Sequence, residues 1–265
     1  MREILFGILR NELSAMLGTN VWTTSRVEKG ARQVLDFGFY NMDCMDGMKS
    51  LPNNYADLTL TDIPYNEVNK TKPDNGLRIM KKGNADICTF DLDSFLEEVW
   101  RVTKKTIIIF CARGQMSKIH NFFFDKQAST VRQLIWEKTN PSPINGDKVY
   151  LSGIENAIWC KKTGVGGVFN AFCKNTVFRY PIGTSEIHPT EKNHALLREL
   201  IEDNSNVGDI VFDPCSGSAS TLLVAHNMGR KYMGFELSKE YYDLASKRLN
   251  NEVAQMTIFD YLGGQ

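Results

Sequence analysis

The fold is decided by the stretch Asp209-Ile210-Val211-Phe212-Asp213-Pro214-Cys215-Ser216-Gly217-Ser218-Ala219-Ser220-Thr221, which predicts a strand, a loop of small residues and the start of a helix. Small side chains let the backbone approach a ligand closely, and a helix N-terminus offers free N–H donors. About twenty residues further on, the segment Tyr232 to Leu237 predicts a second strand that ends at Glu236, where an acid can hold a ribose diol. The loop lacks both the Gly-x-Gly-x-x-Gly spacing and the Gly-Lys-Ser/Thr of phosphate-binding loops. These features favour an adenosine-bearing ligand without phosphates.

A second segment, Thr61-Asp62-Ile63-Pro64-Tyr65-Asn66, follows the apolar alternation from Ala56 to Leu60. The alternation predicts a buried strand that Pro64 cannot continue, so Asp62 and Tyr65 should emerge at its carboxyl end, where open α/β sheets bind ligands. An exocyclic base amine is a weak nucleophile, because its lone pair is delocalised into the ring. The Asp62 carboxylate and the carbonyl of Ile63 or Pro64 could accept its N–H bonds, while Tyr65 stacks on the base. Asp-x-Pro is also an ordinary turn, so this segment alone leaves both interpretations open.

A third segment, His188-Pro189-Thr190-Glu191-Lys192-Asn193, precedes a predicted helix through Leu196 and Ile201, with Thr190 as its N-cap. Taken in their order along the chain, which begins with the Asp62 segment and ends with the Asp213 segment, the three segments resemble the amino-group DNA methyltransferases of the permuted β class. Their patterns in that family are Asp-Pro-Pro-Tyr, His-Pro-Thr-Gln-Lys-Pro and Asp-Pro-Phe-x-Gly-Ser-Gly-Thr-Thr. The resemblance covers roughly residues 38–250. It implies an α/β fold with a doubly wound, mostly parallel sheet of the S-adenosylmethionine-dependent methyltransferase (Rossmann-like) type.

The resemblance also implies an activity and assigns residues to it. We expect a site-specific DNA adenine-N6 methyltransferase that uses S-adenosylmethionine and flips its target base. The catalytic residues would be Asp62, Ile63, Pro64 and Tyr65. The cofactor would contact Asp43, Thr190, Lys192, Asp213, Cys215, Ser216, Gly217, Ser218 and Glu236. Adenine is favoured over cytosine because cytosine-N4 members usually begin the base-binding motif with Ser.

Candidate DNA contacts come from two basic segments and from a further family stretch. The loop 66–90 is rich in Lys and lies directly after the base-binding turn, and the segment 163–187 stands where the family places target recognition. Residues 136–143 resemble the Trp-x-Lys-x-Asn-Pro-x-Pro stretch beside the base pocket, although Trp136 could equally be a core residue of a strand. The predicted contacts are Lys70, Lys72, Arg78, Lys81, Lys82, Trp136, Lys138, Lys174 and Arg179. Charge runs are often only solvated faces, so that alternative stays open.

The motifs depart from the family pattern at a few positions. Ile63 replaces the first proline, Cys215 replaces a Phe, and Ala219 replaces a Gly, which would place one more methyl near the cofactor. Glu191 adds a negative charge near a sulfonium. Asn193 also departs from the third motif. We expect the changes at Cys215 and Ala219 to weaken cofactor binding, but no departure removes a chemical role.

Composition narrows the class of protein. With 265 residues, 42% of them hydrophobic, the chain can bury one substantial core. It has no apolar run long enough for a membrane span, and its first residues lead us to expect no secretory signal. The six cysteines and four histidines show no metal-ligand spacing, so we expect no metal, reduced thiols and a cytoplasmic protein of a bacterium or an infected host. A net charge of zero counts mildly against a strong nucleic-acid binder.

Three parts are predicted along the chain: a helical extension at 1–37, a catalytic domain at 38–250 and a tail at 251–265. The extension could form a homodimer or pack on the domain. In the tail, Gln255 to Phe259 resembles the Gln-Leu-x-Leu-Phe peptide that docks on the DNA polymerase sliding clamp, and a packed terminal helix or strand is the alternative.

Two other functions stay open. One is cytosine-N4 methylation, and the other is a DNA-binding regulator that keeps a methyltransferase scaffold without catalysis. A protein-glutamine methyltransferase is disfavoured. That class has a related Asn-Pro-Pro-Tyr turn, but its cofactor loop precedes the turn along the chain, whereas here the turn at Asp62 comes first.

Overall fold

A computed structural model describes residues 35–65, 89–143, 146–164, 168–183 and 191–263, the last eleven of these as backbone only. Most of the predicted extension 1–37 lies outside the described residues. So do most of the loop 66–90 and the following predicted site residues: Lys70, Lys72, Arg78, Lys81, Lys82 and Thr190. The division into extension, catalytic domain and tail therefore stays a prediction.

The described strands form one eight-stranded sheet. They are β1 Gly38–Asn41, β2 Ala56–Asp62, β3 Thr103–Cys111, β4 Thr130–Lys138, β5 Ile154–Lys161, β6 Val177–Tyr180, β7 Ile210–Asp213 and β8 Lys231–Glu236. Their order is β1-β8-β7-β2-β3-β5-β4-β6, and every pair is parallel except the two that β5 makes with β3 and β4. The mostly parallel sheet that the sequence predicts is therefore confirmed.

The order of the strands places a crevice between β2 and β7. Along the chain, β2 is followed by β3 on one side, whereas β7 is followed by β8 on the other. In open α/β sheets, ligands bind at the carboxyl ends of strands where the order reverses in this way. Asp62 ends β2 and Asp213 ends β7, so two predicted motifs meet at this crevice.

Helices cover both faces of the sheet. They are α1 Cys44–Ser50, α2 Leu92–Val102, α3 Arg113–Asp125, α4 His194–Asn204, α5 Ser220–Asn227 and α6 Lys239–Gly263. Alternation along β3 sends Ile107 and Ile109 into a core shared with α1, α2 and α3. Ile108 and Phe110, between and beyond them, enter a second core shared with α4 and α5. A strand buried on both faces reads as a continuous apolar run, as the sequence of β3 does.

Local sequence explains where two of these helices begin. The helix α2 begins at Leu92 because the Asp91 carboxylate caps it by accepting from Ser94 N–H at 2.9 Å. The N-cap predicted for α4 is wrong. Asn193, not Thr190, caps that helix, since its side-chain oxygen accepts from the N–H groups of Ala195 and Leu196 at 2.8 and 3.1 Å.

The last helix extends beyond its predicted end. The apolar spacing places that end near Leu249, whereas the helical backbone of α6 continues to Gly263. No Gly or Pro interrupts the sequence of this helix before Gly263, so nothing local stops the helix earlier. The segment Gln255 to Phe259 is helical, and its docking on a sliding clamp stays a prediction. No described helix has the length and apolar character that a membrane span requires.

Candidate active site

One cavity of about 560 Å³ opens at the carboxyl ends of β1, β2, β7 and β8. Its lining brings together residues that are far apart in the sequence. Of the predicted site residues it contains Asp43, Asp62, Ile63, Pro64, Tyr65, Lys192, Asp213, Cys215, Ser216, Gly217, Ser218 and Glu236. The turn that is predicted to bind the base and the loop that is predicted to bind the cofactor (residues 214–219, here called the cofactor loop) therefore border the same space, as the resemblance requires.

A buried hydrogen bond joins these two segments directly. The Thr61 hydroxyl donates to Asp213 Oδ1 at 2.7 Å across the β2–β7 pair. The same oxygen accepts the Cys215 N–H at 3.1 Å, which fixes the start of the cofactor loop. Burial raises the pKa of Asp213 to about 7, although hydrogen bonds from Thr61 and Thr221 oppose that shift. The carboxyl group is therefore partly protonated near neutral pH.

The cofactor loop, residues 214–219, is held close to β8. Ser216 donates its hydroxyl to Asp213 O at 2.7 Å, and a Cβ at Gly234 would overlap with Ser216 Oγ. Glycine at 234 therefore permits the close approach. Gly217 and Ala219 both have left-handed backbone, with φ of 52° and 58°. That conformation is easy for Gly217 but costs an alanine about 1 kcal/mol or more.

The expectation that Ala219 places a methyl near the cofactor is wrong. Ala219 is only 1% exposed and packs with Leu222 and Ala245, away from the cavity lining. Its departure from glycine therefore changes the packing between α5 and α6 rather than the pocket wall.

Two acids of the cavity lining lie at or just beyond the ends of the neighbouring strands β8 and β1. Glu236 Oε2 accepts the Gly217 N–H at 2.9 Å, and Oε1 accepts the Ser238 N–H at 2.7 Å. Burial raises the pKa of Glu236, while these amides lower it. A carboxylate has about four acceptor sites, so Glu236 can still accept from hydroxyl groups. Asp43 caps α1 through the Met45 N–H at 2.8 Å and also lines the cavity.

Around Asp62 the structure shows a buried chain of alternating charges. The Lys192 ammonium donates to Asp62 Oδ2 and lies 2.9 Å from Glu155 Oε2. Lys138 reaches the other oxygen of Glu155 at 2.7 Å. The Tyr65 hydroxyl donates to Asp62 Oδ1 at 2.8 Å. Since β5 begins where β3 and β4 end, Glu155 enters this group from a strand of opposite direction.

The pKa shifts follow from this chain of charges. Burial and the charge of Glu155 raise the pKa of Asp62, while Lys192 and Tyr65 lower it. Burial alone would lower the pKa of Lys192, but its two carboxylate partners raise it well above its usual range. Burial also opposes ionisation of Glu155, yet Lys192 and Lys138 lower its pKa to about 2. Lys192 and Glu155 are therefore ionised at neutral pH.

The turn after β2 explains why isoleucine can stand in place of the first proline. The Ile63 N–H donates to Phe110 O at 3.2 Å, a bond that proline could not make, and its side chain is buried. The Pro64 carbonyl accepts from Gln115 Nε2 at 3.0 Å, and Gln115 Oε1 accepts the Ala112 N–H at 2.9 Å. The carbonyl keeps a second lone pair for a ligand.

The side chain of Glu191 contacts an arginine and a histidine. Arg248 of α6 lies 2.8 Å from Glu191 Oε1, and His194 Nε2 lies 2.7 Å from the same oxygen. Arg248 also donates to the Ser218 carbonyl. The charge of Glu191 is thus paired within the protein, and Arg248 ties the third motif to the loop 214–219.

The predicted DNA contacts among the described residues divide into two groups. Trp136 is 3% exposed and donates its indole N–H to Tyr180 O at 2.9 Å, so a direct contact with DNA does not fit its burial. Lys138 belongs to the Glu155 pair, and Lys174 is bound to Asp203 and Glu199 at 2.7 and 2.9 Å. Arg179 is 70% exposed and keeps only a surface pair with Glu137. Arg179 is therefore the best placed of the four for a phosphate.

Sequence reasoning missed Glu155, Thr61, Gln115 and Arg248. A signal existed for Glu155 alone, because an acid beside an apolar strand such as Asn156 to Cys160 is unusual in a core. The other three are ordinary residues in a strand and two helices, and only their contacts give them a role. Within the described residues no cluster of three His, Cys, Asp or Glu is arranged to hold a metal ion.

The fold and the cavity define an α/β protein of the S-adenosylmethionine-dependent methyltransferase type. A family model described as DNA methylase matches residues 172–247. Type II methyltransferase M.HinfI of Haemophilus influenzae is 26% identical over 249 residues, covering 78% of this chain and 66% of M.HinfI. Type II methyltransferase M2.DpnII of Streptococcus pneumoniae is 24% identical over 222 residues, covering 74% of this chain and 83% of M2.DpnII.

Solved structures agree with these sequence matches. The crystal structure of the M1.HpyAVI–SAM complex has a TM-score of 0.61 at 27% identity, covering 79% of this chain and 98% of that one. PvuII DNA methyltransferase, described as cytosine-N4-specific, also has a TM-score of 0.61, but at 16% identity, with 81% and 90% of the two chains covered. The PvuII match shows the fold alone. Together the findings confirm the resemblance of this chain to the amino-group DNA methyltransferases of the N6/N4 family.

Proposed function

We propose that this chain is a DNA adenine-N6 methyltransferase that uses S-adenosylmethionine and acts on a base flipped out of the DNA. The observation that carries the proposal is the shared cavity, in which Asp62 and Gly217 line one space of about 560 Å³. Such a space suits a methyl donor and an acceptor side by side. The Thr61–Asp213 bond holds the two motifs at a fixed separation.

The residues that would hold the cofactor fit it by their chemistry. Glu236 presents a buried carboxylate for a ribose diol, the loop 215–218 presents small side chains, and Asp43 lines the same wall. When bound, S-adenosylmethionine supplies an electrophilic methyl group next to a positive charge. Asp213 lies at the crevice between the two motifs. Its buried carboxyl group accepts the Cys215 N–H and so lies at the start of that loop.

The base would be held by the turn after β2. Asp62 accepts an N–H of the amino group, a carbonyl of the turn accepts the other, and Tyr65 stacks on the ring. These acceptors draw the nitrogen toward tetrahedral geometry and localise its lone pair as it attacks, which is transition-state stabilisation by groups already in place. Asp62 also contacts the nitrogen that must lose a proton after the transfer.

Arg179 and the segments 66–90 and 163–187 are our proposed DNA-contacting elements, because their positive charge would bind phosphates. The connection between β4 and β5 exposes three apolar side chains, Val149, Tyr150 and Leu151. Because β4 ends at Lys138 and β5 begins at Ile154, this connection lies at the carboxyl edge of the parallel strands. We also propose, from the sequence alone, a cytoplasmic location, a homodimer through residues 1–37 and a contact with the sliding clamp.

Methylation of purified DNA tests the activity and the base at once. The protein is incubated with DNA and S-adenosylmethionine carrying a labelled methyl group, and the nucleosides are analysed by mass spectrometry. We expect N6-methyladenine. Detection of N4-methylcytosine instead would support the alternative specificity, which the cytosine-N4 enzyme of the same fold keeps open.

An Asp62→Ala variant tests the mechanism in the same assay. Loss of a group that acts on the developing charge typically costs about 100-fold or more in rate, so labelling should fall by at least that factor while cofactor binding persists. Asp93→Ala is the control, because Asp93 is 63% exposed in a surface pair with Lys118. Near-normal labelling by Asp62→Ala would remove Asp62 from the mechanism. Failure of the wild type to retain S-adenosylmethionine would favour a non-catalytic regulator.

A further inference from the structure

Glu155 is a half-buried acid in the group of charges around Asp62, and neither the motifs nor the resemblance gives it a role. It stands at the start of β5, and its side chain is only 20% exposed. One carboxylate oxygen lies 2.9 Å from Lys192, and the other lies 2.7 Å from Lys138. Both of these lysines are also largely buried, at 7% and 13% exposure. Such an arrangement is costly to build unless each charge keeps its partners.

Lys192 connects Glu155 to the residue that would grip the base. Its ammonium donates to Asp62 Oδ2, while Tyr65 occupies Oδ1 at 2.8 Å. It also lies 5.6 Å from the centre of the Tyr65 ring. In this state the ammonium therefore holds the acceptor that a base amine would need, beside the ring on which that base would stack.

We infer that Glu155 is a positioning residue for base capture: it retains the Lys192 ammonium while the amino group of the target base replaces that ammonium on Asp62. The inference rests on the proposed function. The exchange swaps one N–H donor for another on the same carboxylate oxygen, so Asp62 is never left without a partner. No bond other than hydrogen bonds is made or broken.

The geometry favours this exchange because Glu155 is already in contact with the ammonium. A small shift of Lys192 away from Asp62 keeps its 2.9 Å contact with Glu155. Lys138 holds the far oxygen of Glu155, so the carboxylate does not follow the base into the pocket. Without Glu155, displacement would leave a buried ammonium with no counter-charge, which is strongly unfavourable. Lys192 would then stay on Asp62 and compete with the base.

The main test is Glu155→Gln, which removes the charge and keeps the volume. We expect kcat/KM for DNA to fall at least about tenfold, with the affinity for S-adenosylmethionine measured by calorimetry unchanged. Glu98→Gln is the matched control, because Glu98 also forms a half-buried pair, with Arg101 at 2.7 Å, but does not line the cavity. That control should leave both quantities as in the wild type.

A pH profile separates positioning from a general structural defect. The groups that face Asp62 are Lys192, Glu155, Tyr65, Asp213 and Cys111. Because the charge of Glu155 raises the pKa of Asp62, its removal should shift the acid limb of kcat/KM to lower pH. Damaged packing would lower kcat/KM without shifting the pH of its acid limb. The charge-conserving Glu155→Asp should recover part of the lost activity and keep the wild-type limb.

Two results would overturn the inference. One is a Glu155→Gln enzyme within about twofold of the wild type in kcat/KM for DNA, with an unmoved acid limb. The other is an equal loss in Glu155→Asp and Glu155→Gln without a change in the pH profile. Should the Gln variant not fold, Glu155→Asp decides alone, since wild-type kinetics in it would contradict a role for the carboxylate position. A wild-type protein that methylates no DNA would instead refute the proposed function itself.

Discussion

Replacement of Asp213 by Asn should stabilise the folded protein relative to the wild type, by an amount that grows as the pH rises from 5 to 8. Asp213 is 3% exposed at the end of β7, and burial raises the pKa of its carboxyl group from 3.8 to about 7. Between these two values the folded state keeps a proton that the unfolded state has lost. Stability therefore falls with rising pH in that window, because the folded state binds more protons. Asn has no proton to lose, so the variant escapes this fall.

The size of the effect follows from the width of the window. From pH 5 to about pH 7, only the unfolded chain has an ionised Asp213; above about pH 7 the carboxyl group is ionised in both states. The range from pH 5 to pH 8 therefore contains about two pH units in which the two states differ. At about 1.36 kcal/mol per unit, this amounts to about 2 to 3 kcal/mol. The Asn side-chain oxygen can still accept from Thr61 and from the Cys215 N–H, so the hydrogen bonds of 2.7 and 3.1 Å are retained.

Urea unfolding at pH 5, 6, 7 and 8 measures this difference. The free energy of unfolding of Asp213→Asn minus that of the wild type should rise by about 2 to 3 kcal/mol over the range. Groups that titrate alike in both proteins cancel in the subtraction. Asp243→Asn is the control, because Asp243 is 57% exposed on α6. A difference that stays constant from pH 5 to pH 8 would show that the folded carboxyl is already ionised at pH 5, and the burial argument would fail.

Two further predictions concern the cofactor side of the cavity. Glu236→Gln deprives a ribose of a charge-assisted hydrogen bond worth about 1.5 to 3 kcal/mol, so calorimetry should show S-adenosylmethionine binding weakened about 10- to 100-fold. An unchanged affinity would contradict the ribose assignment. Arg248→Met removes one partner of the largely buried pair with Glu191, so urea unfolding should show a loss of about 2 to 4 kcal/mol, and less in Arg248→Lys. Wild-type stability in the Met variant would show that the pair with Arg248 does not stabilise the fold.

Much of the fold could be predicted because its signals are local. The apolar alternation before Asp62 marks β2, and the small-residue loop after Val211 and Phe212 marks the turn from β7 into α5. The bounds of α2 follow from Asp91 as a cap and from its apolar spacing. Where two signals competed, the local pattern failed. Thr190 and Asn193 are both good caps, and the chain uses the second.

The sequence by itself determined the class of fold, the order of the three motifs and twelve of the residues that line the cavity, because each of these is written in a few neighbouring residues. The tertiary structure alone decided that Glu155, 93 positions beyond Asp62, shares the Lys192 ammonium with it, and that Trp136 is buried. These facts depend on which strands lie side by side. The insertion of the reversed strand β5 between β3 and β4 brings Glu155 to the carboxyl edge of the parallel strands, and no pattern of neighbouring residues encodes that order.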